Sequence, residues 1–141
     1  MKSLLLAGAI ALSPLAALAQ QPAAAADTGL SQPVIALTGA LAKNADALAL
    51  DDAQRADLKA WLAEMPAKRA ALEAETVALR SQMRHKIAAG APVPEREALA
   101  AQIGANETRL VMMRSHCADH WRSVLSSAQF AQLLQLAGVT D

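Results

Sequence analysis

The densest run of chemically capable side chains is Met112-Met113-Arg114-Ser115-His116-Cys117-Ala118-Asp119-His120, which holds two of the three histidines and the single cysteine. On a helix, Met112, His116 and His120 fall at i, i+4 and i+8 on one face, and Met113 and Cys117 form a neighbouring i, i+4 row. Histidines on adjacent turns are spaced to grip one ion. Thiolate and thioether donors favour Cu(I), whereas imidazole with thiolate suits Zn(II) or Cu. Nothing in the sequence requires a cofactor. A Cu or Zn ion is what this cluster could hold, with His116, Cys117, His120, Met112 and Met113 as candidate ligands. His85 sits too far along the chain to be assumed a ligand of the same site. The same residues also have a plain structural reading, because Met113 and Cys117 lie on an apolar seam and a free cysteine behaves as a small hydrophobe. Three roles for Cys117 therefore stand side by side: core residue, metal ligand, or a reactive thiol that pairs with another chain.

No enzyme is indicated. Ser126 and Ser127 lie near Asp119 and His120 in sequence, but helix capping accounts for the serines. There is no nucleophile elbow, glycine-rich phosphate loop or paired-cysteine zinc motif. The catalytic and cofactor-binding sets are empty.

The elements that must position this segment are helical. Alanine, leucine, glutamate, arginine and glutamine dominate, with no tyrosine, one phenylalanine and two tryptophans, a helix-forming composition with little for strands. Residues 1–19 read as a signal peptide: Lys2, an apolar run from Leu4 to Leu12, and Ala17-Leu18-Ala19 before the cut. That places the mature protein outside the cytoplasm, and the run is too short to span a bilayer. Residues 20–30 read as a flexible lead-in, and residues 31–141 as one helical domain. Without Lys2, twelve basic side chains face thirteen acidic ones. A net charge near −1 gives no bias toward nucleic acid or an anionic membrane.

Ser31 and Pro33 suggest the start of a short helix running to about Ala47, with Val34, Leu37, Leu41 and Leu48 near one face. Asp51 and Gln54 form a capping-box variant ahead of a long helix. That helix carries Leu58, Met65, Leu72 and Leu79 at seven-residue spacing, flanked by Trp61, Leu62 and Met83. Pro66 predicts a kink or short break near Glu64-Met65. Gly90 to Pro94 is a turn. A second long helix follows from about Pro94, with a seam of Leu99, Ile103, Asn106, Leu110, Met113, Cys117, Trp121 and Val124. Two long helices joined by a tight loop predict an antiparallel hairpin. Ser126 and Gln129 make a second capping box, with Leu125 and Phe130 as a hydrophobic staple, and the last helix ends at Gly138. The fold class is thus all-α, four helices, with a long hairpin flanked by short ones.

The pentapeptides that open the second and fourth helices, Leu50-Asp51-Asp52-Ala53-Gln54 and Leu125-Ser126-Ser127-Ala128-Gln129, are similar to the paired LTxxQ motifs of the Spy/CpxP periplasmic proteins. That group includes heavy-metal resistance proteins of the ZraP and CnrX kind. Asp51 and Ser126 stand where the family has threonine, and all three residue types are good N-caps. The order of elements resembles theirs over about residues 30–137. The resemblance implies a curved antiparallel homodimer in the periplasm. It also implies an envelope-stress role, as an ATP-independent chaperone or adaptor for unfolded clients or a periplasmic sensor domain. The alternative it offers is heavy-metal binding in resistance or sensing. Spy-like chaperones carry a basic concave face, whereas this chain is near neutral and offers only the local set Lys68, Arg69, Arg80, Arg84 and Lys86. The nickel- and cobalt-sensing relatives place histidine eight residues, and methionine four, before the second motif's leucine. Here those positions are Cys117 and Trp121, so that ligand set is not reproduced.

Overall fold

A computed structural model describes residues 29–139. The signal peptide read at residues 1–19 lies outside them, as does the lead-in up to residue 28. The described residues form four helices and no strand: α1 (Leu37–Lys43), α2 (Asp52–Ala88), α3 (Val93–Val124) and α4 (Ser127–Leu136). No described helix is long and apolar enough to cross a membrane.

α1 is shorter than the sequence suggests. It begins at Leu37 behind Ala36, whose side chain cannot cap, and Ser31 is not an N-cap. Residues preceding a proline avoid the helical region, which disfavours a helix through Gln32, and Ser31 to Val34 instead line a cleft against α2 and α3. The helix stops at Lys43, where the Asn44 side-chain amide donates to the Ala40 carbonyl at 2.8 Å. The chain then turns through Ala49, whose φ of +48° is an uncommon conformation for a residue with a Cβ. That turn aims Leu48 and Leu50 into the core on either side of it.

α2 runs unbroken through Pro66 for 37 residues, about 55 Å at the usual rise. The expected break is absent. Pro66 is solvent-exposed, and its missing donor leaves only the nearby Leu62 carbonyl without its helical partner, on a residue itself 43 % exposed. The turns on both sides carry the helix past it. Pro66→Ala should restore that hydrogen bond and raise stability by about 1–3 kcal/mol, read as a higher thermal midpoint. A lower midpoint would mean that the ring's packing outweighs the lost bond.

α2 and α3 lie against each other. Asp57 meets His120, Arg80 meets Glu107, and Lys86 meets Glu95 beside the connecting turn. The seam residues named for α3 are all buried or half-buried, as are Leu58, Met65, Leu72 and Leu79 of α2. Leu62 is not; it faces outward. Two polar residues sit inside the seam. Thr76 is fully buried and bonds back to the Leu72 carbonyl at 2.7 Å, and Asn106 is 5 % exposed. The main core lies at one end of the molecule, where Leu37, Leu41, Leu48, Leu50, Leu58, Trp121, Leu125, Phe130 and Leu133 cluster from all four helices and the loops between them. Trp121, Leu41 and Leu133 have no exposed surface there.

Candidate functional site

The two glutamine motifs are both formed and they meet. The Asp51 carboxylate accepts from the Gln54 amide N–H at 2.8 Å, and the Gln54 side-chain carbonyl oxygen accepts from Asp51 N–H at 3.1 Å. At α4, Ser126 N–H donates to Gln129 Oε1 at 2.9 Å, and Gln129 N–H donates to Ser126 Oγ at 3.2 Å. The two side-chain amides then face each other. Gln54 Nε2 donates to Gln129 Oε1 at 2.9 Å, and Gln129 Nε2 donates to Gln54 Oε1 at 3.0 Å. Their remaining donors reach the Val124 carbonyl at 3.1 Å and the Leu48 carbonyl at 3.0 Å. Each glutamine thus caps its own helix and grips the other motif, with every amide group satisfied. Leu50 and Leu125, the first residue of each motif, are buried in the core beside this pair. The motif spacing follows: leucine anchors, the cap residue starts the helix, and the glutamine three residues later reaches both the cap and its counterpart.

The segment from Met112 to His120 is divided among three environments. Met112, Met113 and His116 line one open cleft together with Met65, Leu72 and Lys68. His120 turns away from them. Its Nε2 lies 2.6 Å from Asp57 Oδ2, its ring stacks on Trp61 at 4.1 Å between centroids, and Trp121 meets it in a T-shaped arrangement with centroids 4.6 Å apart. Cys117 is half-buried, with Sγ 3.0 Å from Thr38 Oγ1. That same hydroxyl accepts from Trp121 Nε1 at 3.0 Å. The candidate ligands His116, Cys117 and His120 therefore do not converge, and among the described residues no three His, Cys, Asp or Glu side chains are grouped to hold a metal ion. Met113 joins two surfaces, since it also lines the cavity beside Cys117.

Three partners of this segment escape a reading of the sequence: Thr38, Asp57, and Met65 as a cleft wall. Residues counted outward from the Gly90–Pro94 turn put Asp57 and Trp61 opposite His120, so that pairing has a signal in the chain. Thr38 has none, because it comes from α1, whose approach to α3 no local pattern encodes. Arg114 is likewise inconspicuous within its run. It is half-buried, and its guanidinium is held below its usual value, first by burial and then by the like charge of Arg69, against the opposite pull of Cys117 and Glu73.

No family model, no curated protein and no solved structure matches the chain.

Proposed function

We propose that this chain is an exported envelope-stress protein that binds unfolded polypeptides without ATP, as a chaperone or adaptor of the Spy/CpxP kind. The observation that carries the reading is the joined pair of L-x-x-x-Q motifs, whose glutamines cap two helices and lock to each other. That gives the two pentapeptides behind the resemblance a common physical role. In this reading α2 and α3 form a long antiparallel hairpin, and two copies pair into a curved dimer in the periplasm. Clients, or a sensor domain, meet the apolar side chains that the arm leaves in solvent, among them Leu62, Val111 and Met112. Such scattered apolar groups suit weak, sequence-tolerant binding. Substoichiometric protein should delay light scattering by a chemically unfolded client diluted into buffer. Unchanged aggregation over several clients and molar ratios would reject the proposal.

A second reading, heavy-metal binding, is favoured by one observation: Met65, Met112, Met113 and His116 line the same cleft. Thioethers with one imidazole suit Cu(I). The ligand set is then narrower than the sequence suggests, with Cys117 and His120 outside it. Cu(I) titrated under reducing conditions against a chelating indicator should bind the wild-type chain at least ten-fold more tightly than Met112→Leu/His116→Ala. Equal affinities would remove this cleft from consideration.

A further inference from the structure

A cavity of about 360 Å³ opens between the start of α1 and the middle of α2 and α3. It lies at the small end of the ~300–1,000 Å³ range of small-molecule sites. Trp61, Leu62, Met65, Pro66 and Met113 make its apolar wall, and among the described residues Arg69 and Arg114 are its only charged lining. The two guanidiniums differ in their company. Arg69 has Glu73 Oε1 at 3.3 Å from its Nε, but the contact is misaligned and that buried Nε has no hydrogen-bond partner. Arg114 has neither an ion pair nor a hydrogen-bonded acceptor among the described residues. Among the described residues no carboxylate lines the cavity. Glu73 and Glu107 line the adjoining cleft, which Arg69 and Arg114 also border, and Glu107 is already bonded to Arg80 at 2.7 Å.

A half-buried guanidinium with no direct ion pair or hydrogen-bonded acceptor among the described residues, beside a second one, loses solvation and meets like-charge repulsion that the more distant Glu73 offsets only in part. A bound anion would offset both. An inorganic anion would leave the aromatic and thioether wall wet, whereas a ligand with an apolar tail covers it. We propose that this cavity binds a single-chain amphiphilic carboxylate, its head between Arg114 and Arg69 and its tail along Trp61, Met65 and Met113. The cavity shares Leu62 with the proposed client surface, but the proposal rests on the two arginines and the apolar wall and is tested independently of client binding.

Gly39 allows a test that leaves the charges alone. It lines the cavity, and a Cβ built on it meets nothing within 4 Å, so Gly39→Leu should fill the space while improving helix propensity. Isothermal titration of the purified protein with decanoate, below micelle-forming concentrations, should give saturable binding with Kd on the order of 0.1 mM. Decylamine and decanol should bind at least ten-fold more weakly. Arg114→Gln should abolish the preference for decanoate, Arg114→Lys should keep much of it, and Gly39→Leu should weaken binding at least ten-fold with an unchanged helical spectrum. Equal binding of decanoate and decylamine, or decanoate affinity unaffected by both Arg114→Gln and Gly39→Leu, would overturn the proposal. So would an apolar peptide with a free C-terminus binding more tightly than decanoate and losing that binding on amidation, which would assign the cavity to polypeptide ends.

Discussion

Trp121→Ala should unfold a large share of the molecules at physiological temperature. The indole has no exposed surface and sits inside the cluster of Leu37, Leu41, Leu58, Leu125 and Leu133. Its Nε1 is satisfied by Thr38, which also bonds Cys117. Truncation removes the largest buried side chain and leaves a cavity that the surrounding helices cannot close, at a cost of about 3–5 kcal/mol. Against a total of roughly 5–15 kcal/mol for a domain of this kind, that is a fifth of the stability or more. The thermal midpoint should fall by roughly 4–8 °C for each kcal/mol. Trp61→Ala is the control, because Trp61 is only half-buried and stacks on His120 rather than filling the core. It should cost about 1–2 kcal/mol. Urea unfolding followed by circular dichroism measures both, and a Trp121→Ala loss no larger than that of Trp61→Ala would place the core elsewhere.

Gln54 and Gln129 should behave as one unit. Gln54→Ala breaks its own capping box and deprives the Gln129 amide of a donor and an acceptor, and Gln129→Ala does the reverse. Each single substitution should cost about 1–3 kcal/mol, since it leaves half-buried polar groups without partners. The double substitution should cost less than the sum, with a coupling of at least about 1 kcal/mol in a double-mutant cycle. Additive losses would mean that the two amides only cap. Gln129→Glu sharpens the test. Its ionised carboxylate cannot donate to the Leu48 carbonyl or to Gln54 Oε1, so oxygens face oxygens and the folded state raises its pKa. The penalty is then full above that raised value. It fades as pH falls toward the unfolded-state value, because the protonated carboxyl regains a donor. Stability of Gln129→Glu relative to wild type should therefore improve on acidification.

The parts of this fold that sequence discloses are those decided within a turn or two. Both capping boxes, the Leu125–Phe130 staple and the α3 seam depend on residues three to seven apart, and each is present. The break that Pro66 suggests does not occur, because a proline penalty is local while α2 is held by packing on both sides of it. Ser31 misleads because a good cap residue does not start a helix when Pro33 disfavours the helical region at Gln32 and the segment can lie against α2 and α3. The Met112–His120 cluster is legible as a composition but not as a site. Helical spacing puts His116 and His120 on one face, but His120 is claimed by Asp57 and Trp61 of the opposing helix, and Cys117 by Thr38 of α1. Those choices belong to the register between helices, which periodicity leaves free. The glutamine pair is visible in the chain only as two separate caps, because what joins them is the meeting of segments 75 residues apart.

The contacts between α2 and α3 have an order that bears on how the chain reaches this state. Lys86 and Glu95, beside the turn, are nine residues apart; Arg80 and Glu107 are 27; Asp57 and His120 are 63; and the glutamines that join the far end are 75. Loop-closure entropy depends on the length still open, so each contact made near the turn reduces what the next must close. Folding that begins at Gly90 can advance as a zipper toward the glutamines, with no single step closing a long loop. The densest core then forms last, when α1 and α4 dock on a stem already in place. Substitutions at Arg80 and Glu107 should accordingly slow folding, whereas those at Gln54, Gln129 and Trp121 should chiefly speed unfolding.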